Sequence, residues 1–230
     1  MSNLSSSVLK ELSELSQSNP FIPESQQNTN YIEEIKYLMG YIIANNNNNK
    51  QYKIALYKIR GFKPDVLFND IDSLSSGYIN FSDLNEYLNK NNIKIEKDII
   101  LLFLREYNKQ ENDNNLNIQD FNKFLNYDID KNKIKIGEFN FDKNEIKKNF
   151  INLIKSELSL IKEKNELLNN IKKIREFSTY EAFYKISNDK KYIDYDCLQL
   201  FLGEQYNKNE IKELLYRIDM NDDGKINYRV

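Results

Sequence analysis

An internal repeat is the feature that most constrains the fold of this 230-residue chain. Matching basic, aromatic and aliphatic residues recur at a constant distance of 173 − 58 = 115 positions, and one residue is then lost from the second copy. The first copy contains Lys58, Arg60, Phe62, Phe68 and Ile71, and the second contains Lys173, Arg175, Phe177, Phe183 and Ile186. The matches continue from Ile79, Leu84, Leu88, Ile100, Phe103 and Leu104 to Ile193, Leu198, Leu202, Ile211, Leu214 and Leu215. Self-similarity over this length indicates two homologous domains.

The segment from Asp219 to Val230 carries the clearest chemical pattern. A calcium loop of this kind places oxygen ligands at positions 1, 3, 5, 7 and 9, glycine at position 6 and an apolar residue at position 8. The sequence supplies these positions in register as Asp219, Asn221, Asp223, Gly224, Lys225, Ile226 and Asn227. Position 12 requires a Glu that binds through both carboxylate oxygens, but Val230 stands there. We therefore expect this site to be weak or vestigial.

Residues 72–83 repeat this frame in the first copy. Their candidate ligands are Asp72, Ser76 and Asp83. Leu74 stands at position 3, where an oxygen ligand belongs, and Asp83 at position 12 reaches less far than Glu. The sequence therefore predicts a vestigial site here as well.

The two remaining loops depart further from the pattern. The second is predicted to be one residue too long, with Asn114 where glycine belongs. The third is one residue short, lacks glycine and has Cys197 at position 12, so we expect no calcium binding there. Short strands are predicted to pair the loops two by two through the apolar residues Ile79, Leu116, Ile193 and Ile226.

From about Leu56 to Val230 these features resemble the EF-hand (calmodulin-like) superfamily. The resemblance implies an all-α fold with two EF-hand pairs, in which helix-loop-helix units carry short paired loop strands and each pair follows a long helix. An Arg-x-Phe step precedes each pair, as Arg60-Gly61-Phe62 and Arg175-Glu176-Phe177. This layout is similar to tandem EF-hand proteins that line ciliary doublet microtubules. It implies an architectural protein of the axoneme, with tubulin or other axonemal proteins as partners.

The expected domain boundaries follow the repeat. They are 1–30 for an N-terminal arm and linker, 31–128 for the first helix plus a degenerate EF-hand pair, 129–141 for a linker, and 142–230 for the second long helix plus an EF-hand pair. The last hand lacks its outgoing helix after Val230, so either the chain is a fragment or something else completes that hand.

Two further segments stand outside the repeat. The run Asn45 to Asn49 is predicted to interrupt the first helix as a solvated insert or a weak linker. The arm carries an apolar stripe formed by Val8, Leu9, Leu12 and Leu15. A single stripe of this kind is too weak to fold alone, so the arm either packs back on the body or docks on a partner.

Composition excludes several classes of function. The net charge of −2 favours neither nucleic acid nor anionic lipid as a partner, and no apolar run is long enough for a membrane span. The chain has no histidine, the commonest general base, and no Gly-rich phosphate loop, so we expect no enzyme. Its one cysteine, Cys197, suits a reducing compartment, so the sequence predicts a cytoplasmic protein.

Two functions remain open. A structural or adaptor protein would dock on a cytoskeletal or axonemal assembly largely without calcium. The alternative is a calmodulin-like calcium sensor that binds an amphipathic target helix. A sensor needs competent loops and is helped by methionine, yet the chain has only 3 Met residues and no complete loop. The sequence therefore favours the structural protein.

Overall fold

The computed structural model describes residues 30–108, 114–126, 134–135, 137–174, 177–219 and 223–228. Within these ranges the chain is mostly helical, with nine helices and four short strands. The helices are α1 (Asn30–Lys58), α2 (Pro64–Ile71), α3 (Phe81–Lys90), α4 (Lys97–Tyr107), α5 (Ile118–Asn126), α6 (Lys143–Lys172), α7 (Thr179–Ser187), α8 (Tyr195–Leu202) and α9 (Lys208–Ile218). The strands are β1 (Tyr78–Ile79), β2 (Leu116–Asn117), β3 (Tyr192–Ile193) and β4 (Ile226–Asn227). The predicted stripe of the N-terminal arm lies outside the described residues.

The order of elements repeats along the chain. Helices α2 and α7 begin 179 − 64 = 115 positions apart, which is the spacing of the sequence repeat. Helices α3 and α8 begin 195 − 81 = 114 positions apart, after the loss of one residue. Each copy thus contains helix, strand, helix, helix and strand in the same order. The first copy then adds α5, whereas the described part of the second ends at residue 228.

Antiparallel strand pairs join the loops two by two. Ile79 lies opposite Leu116 in one pair, and Ile193 lies opposite Ile226 in the other. All four side chains are buried, so each pair closes the end of a core. These contacts confirm the predicted pairing of the four apolar loop residues.

Helix α1 continues through the asparagine run, so the prediction of an insert at Asn45 to Asn49 is wrong. Asn45, Asn46 and Asn49 are buried, because they occur at i, i+1 and i+4 on one helix face. Asn49 donates from Nδ2 to Glu157 Oε1 at 2.7 Å, and Asn46 Oδ1 accepts from Arg217 Nη1 at 2.7 Å. Each bond joins one polar atom of a buried asparagine to a residue far away in the sequence.

The chain forms two compact units. One contains Asn47–Lys162, and the other contains residues 30–46 and 163–228 of the described chain. The boundaries between the units differ from those expected from the sequence. They fall inside helices α1 and α6, so each of these helices contributes residues to both units.

Aromatic and polar contacts hold the first half of α1 inside its unit. The ring of Tyr31 packs edge-on against Phe177 at 5.5 Å, and its hydroxyl lies 3.3 Å from Lys185 Nζ. The Tyr206 hydroxyl lies against Gly40, and a larger residue at this position would require the Tyr206 side chain to move. This half of α1 is therefore packed along its length and not an independent linker.

Part of the predicted linker packs within the unit formed by Asn47–Lys162. The backbone amide of Phe139 donates to Lys58 O at 2.9 Å, and Arg60 N donates to Phe139 O at 2.7 Å. Phe139 thereby forms a parallel bridge with Ile59 at the end of α1.

Within the described ranges, none of the helices is long and apolar enough to cross a membrane.

Candidate calcium loops

Loop 1, residues 72–83, is closed by hydrogen bonds to one carboxylate. Asp72 follows α2 and is only 3% exposed. Its Oδ1 accepts from the amide of Ser76 at 2.9 Å and lies 3.1 Å from the Ser76 hydroxyl. Its Oδ2 accepts from the amide of Gly77 at 2.8 Å. Gly77 has φ +85°, a conformation that L side chains rarely adopt, so glycine makes the sharp turn possible.

These bonds favour the charged form of Asp72. Burial raises the pKa of its carboxyl, but the donors from Ser76 and Gly77 outweigh burial and leave the pKa below its usual range. The Ser76 hydroxyl also lies 2.9 Å from the carbonyl of Tyr78. The oxygens of Asp72, Ser76 and Tyr78 thus have partners within the loop itself.

The last candidate ligand of loop 1 has another role. Asp83 Oδ2 accepts from the amide of Asn80 at 3.1 Å, while Asn80 Oδ1 accepts from the amide of Asp83 at 3.1 Å. This reciprocal arrangement is a capping box at the start of α3. Leu74 at position 3 is 82% exposed and offers no side-chain oxygen. The donor set of loop 1 therefore fits calcium poorly.

Loop 4, residues 219–230, begins with the same geometry as loop 1. Asp219 is buried, and its Oδ2 accepts from the amide of Gly224 at 2.6 Å. Gly224 has φ +77°, close to the value at Gly77. The structure thus places positions 1 and 6 of loops 1 and 4 in equivalent arrangements. Asn221 and Val230 lie outside the described residues.

The other predicted ligands of loop 4 are exposed. Asp223 Oδ1 accepts from the amide of Lys225 at 2.8 Å, and Asn227 lies in β4 opposite Tyr192. The ammonium of Lys225 lies 4.5 Å from the centre of the Tyr192 ring. This distance is typical of a cation–π contact. The described side chains of loop 4 therefore provide Asp219 and Asp223 as carboxylate donors.

Loop 2, residues 108–120, has the extra residue that the sequence predicts. Seven positions separate Asp72 from Ile79 at the strand, whereas eight separate Asn108, which follows α4, from Leu116. Asn117 then caps α5, since its Oδ1 accepts from the amide of Asp120 at 3.0 Å. The insertion lies before the strand, and the helix start after it is unchanged.

Loop 3, residues 187–197, has the thiol of Cys197 at position 12, where a carboxylate belongs, and the ammonium of Lys190 inside the loop. Cys197 is 2% exposed and its Sγ lies 3.2 Å from the carbonyl oxygen of Ser187. Lys190 Nζ lies 3.0 Å from Asp194 Oδ2. Asp194 also caps α8 by accepting from the amide of Cys197 at 3.0 Å. A thiol at position 12 and a lysine cation inside the loop oppose calcium binding.

Charges in loop 3 stabilise one another. Burial raises the pKa of Asp194, but hydrogen bonds from Cys197 and Lys190 outweigh it and lower the pKa to about 2. The pKa of Lys190 is raised, chiefly by its hydrogen bond to Asp194. Burial raises the pKa of the Cys197 thiol, which keeps it protonated at neutral pH.

Sequence reasoning did not single out Lys190. Residues 190–194 form a bend and strand β3 instead of a helix, so the four-residue spacing of Lys190 and Asp194 carried no specific signal for their contact. In the described parts of the chain, no group of three or more His, Cys, Asp or Glu side chains is arranged to hold a metal ion. No protein-family model matches the sequence, and a search of curated proteins finds no similar one.

Proposed function

We propose that this chain is a non-enzymatic structural or adaptor protein of EF-hand type, which docks on a cytoskeletal or axonemal assembly largely without calcium. The observation that carries the proposal is the donor set of loop 1, where Leu74 stands exposed at position 3 and the Asp83 carboxylate accepts from the amide of Asn80 in a capping box. A loop without an oxygen at position 3, whose position-12 carboxylate caps a helix, offers calcium few ligands. Its paired strand and capping box are built from protein groups alone.

Loop 3 supports the same proposal by different means. Lys190 supplies a positive charge to Asp194, and Cys197 takes the place of the position-12 carboxylate. A calcium ion would have to displace an ammonium and would gain no carboxylate from Cys197. Any calcium affinity therefore resides in loop 4 and is weak.

The repeat gives docking a physical advantage. Two linked modules that each bind a repetitive surface gain affinity through effective concentration, even when each contact is weak. A cytoskeletal filament offers such a surface, and we propose tubulin or another axonemal protein as the partner. A cytoplasmic, cytoskeletal location follows from this proposal.

Co-sedimentation tests it. Full-length protein is spun with assembled microtubules or with axonemes, in calcium and in chelator. The proposal predicts equal binding in both conditions. A chain that stays in the supernatant in both conditions, or that pellets only with calcium, contradicts it.

A calcium sensor is the second candidate, and one observation favours it. Asp219 and Gly224 in loop 4 retain the position 1 and position 6 geometry of a working loop. A sensor would bind an amphipathic helix in calcium and release it in chelator. Titration with such a helix in both conditions separates the two functions.

A further inference from the structure

Helix α6 carries one apolar stripe through the core of the unit formed by Asn47–Lys162. The stripe residues share a single face and are each at most 2% exposed; they are Ile146, Phe150, Leu153, Ile154, Leu158 and Ile161. All six belong to the hydrophobic core that also contains residues of α2, α3, α4 and α5. The opposite face exposes lysines, including Lys147, Lys148 and Lys155. Residues 143–162 therefore form an amphipathic helix whose apolar face is fully covered.

Aromatic contacts place Phe150 at the centre of this packing. Its ring lies 5.9 Å from Phe121 of α5 and 5.9 Å from Tyr87 of α3. Phe150 thus bridges one helix from each of the two hands. A residue that contacts both hands at once is placed as an anchor of a bound helix would be.

Ion pairs mark both ends of the segment. Lys143 Nζ lies 3.6 Å from Asp70 in α2, and Lys162 Nζ lies 2.9 Å from Glu96, which precedes α4. These side chains are partly exposed, so the pairs add little free energy. They do distinguish the two directions in which the helix could lie across the pair.

A buried polar contact fixes the register. Glu157 is 0% exposed and accepts a hydrogen bond from Asn49 at 2.7 Å. A shift of α6 by one turn would remove the carboxylate from this donor and place it against apolar side chains, which is costly. The surface around α6 thus recognises a pattern of apolar residues with one acid at a defined position.

We propose that residues 143–162 are the built-in helical ligand of the first helix-loop-helix pair. The pair binds this stripe as a target-binding EF-hand pair binds an amphipathic helix, and a helix in the same chain competes at an effective concentration of roughly millimolar. The inference rests on the proposed function, since it explains why the groove of the pair is filled by the same chain with or without calcium. External target helices are excluded as long as α6 is in place.

The test uses the full chain and a fluorescent synthetic peptide of residues 143–162. Phe150→Asp combined with Leu153→Asp weakens the internal helix, so this variant should bind the peptide at least about tenfold more tightly than the wild-type chain. Because the variant is destabilised, peptide should also raise its melting temperature. A matched chain variant with Lys147→Asp and Lys148→Asp, on the exposed face, should behave as wild type. A peptide that carries both apolar substitutions should not bind.

The outcomes separate this inference from the proposed function. A peptide that neither binds the Phe150/Leu153 variant nor raises its melting temperature overturns the inference, because the stripe would then be core that cannot be exchanged. Binding of the peptide to the variant equally in calcium and chelator supports both ideas. Binding that requires calcium supports the built-in ligand but contradicts the calcium-independent function.

Discussion

Loop 1 and loop 3 build the same kind of turn from different chemistry. In loop 1 the carboxylate of Asp72 collects backbone amides, and Gly77 supplies the left-handed turn at φ +85°. Loop 3 has no glycine, and Asn188 at φ +51° and Asp189 at φ +67° supply the left-handed residues. Since Asn and Asp tolerate this region better than other side chains, loop 3 turns without glycine.

Both loops nevertheless retain two interactions in common. Ile79 and Ile193 occupy the same place in their strand pairs, and both are buried. Asn80 and Asp194 each cap the helix after the strand by accepting from the amide three residues later. Strand pairing and the helix cap are therefore common to both loops, whereas the groups between them differ.

The strongest test of this comparison removes the strand residues. Ile79→Ala and Ile193→Ala should each lower the free energy of unfolding by about 2–5 kcal/mol, because both delete buried side chains at a core end. Leu74→Ala is the matched control within loop 1, and its side chain is 82% exposed, so its effect should stay within about 0.5 kcal/mol. Urea denaturation measures all three. A large cost at only one isoleucine would show that the loops are not equivalent.

The next largest effect on the free energy of unfolding is expected from the left-handed residues in the turns of loops 1 and 3. Gly77→Ala should cost about 1–2 kcal/mol, because alanine is strained at positive φ. No atom lies within 4 Å of the added Cβ, so backbone strain alone is measured. Asn188→Gly in loop 3 should be neutral or slightly stabilising, since glycine adopts a positive φ without steric strain. A neutral Gly77→Ala would refute the account of the loop 1 turn.

Removal of the N-terminal helix caps should lower the free energy of unfolding by a smaller amount. Asn80→Ala and Asp194→Ala should each destabilise by about 0.5–2 kcal/mol, because each leaves a helix amide without its side-chain acceptor. Ser82→Ala, at an exposed position of the same helix start, provides the control. Thermal melting of the four proteins decides the matter, and equal melting temperatures for Asn80→Ala and the control would contradict the assigned role.

The smallest effect is a pH dependence in the acid range. The pKa of Asp194 is lowered to about 2, so the folded state favours its carboxylate. Its contribution to stability is fully present above the unfolded pKa of about 3.9 and is lost as the pH falls toward about 2. Asp72 shifts in the same direction. Asp194→Asn should flatten the stability curve in this window, and an unchanged curve would argue against the hydrogen bonds that Asp194 accepts from Cys197 and Lys190.

Local signals in the sequence predicted the repeat and the strand pairing. Pro64 marks the first turn of α2, and Asp142 caps α6 by accepting from the amide of Asn144 at 2.8 Å. Strand pairing of Ile79 with Leu116 followed from position 8 of each loop. Each of these features is marked by residues within a single loop or a single helix turn, which is why the pattern was sufficient.

Features that depend on distant partners could not be predicted. The asparagine run is helical because Asn49 meets Glu157, 108 positions away, and Asn46 meets Arg217, 171 positions away. The spacing of apolar residues gives no signal for polar residues that are buried in contact with each other. The contact of the Cys197 thiol with the Ser187 carbonyl was not predicted either, since spacing identified a lost ligand but not what replaced it.

Calcium titration by calorimetry measures whether the four loops bind the ion. We expect this 230-residue protein to bind calcium no more tightly than roughly 10⁻⁴ M, because loop 3 offers a thiol and an ammonium, and loop 1 has Leu74 at position 3 and uses Asp83 to cap a helix. Its melting temperature should be the same in micromolar calcium and in chelator. A micromolar binding site, or a melting temperature that rises in micromolar calcium, would contradict the claim that these loops are held by protein groups alone.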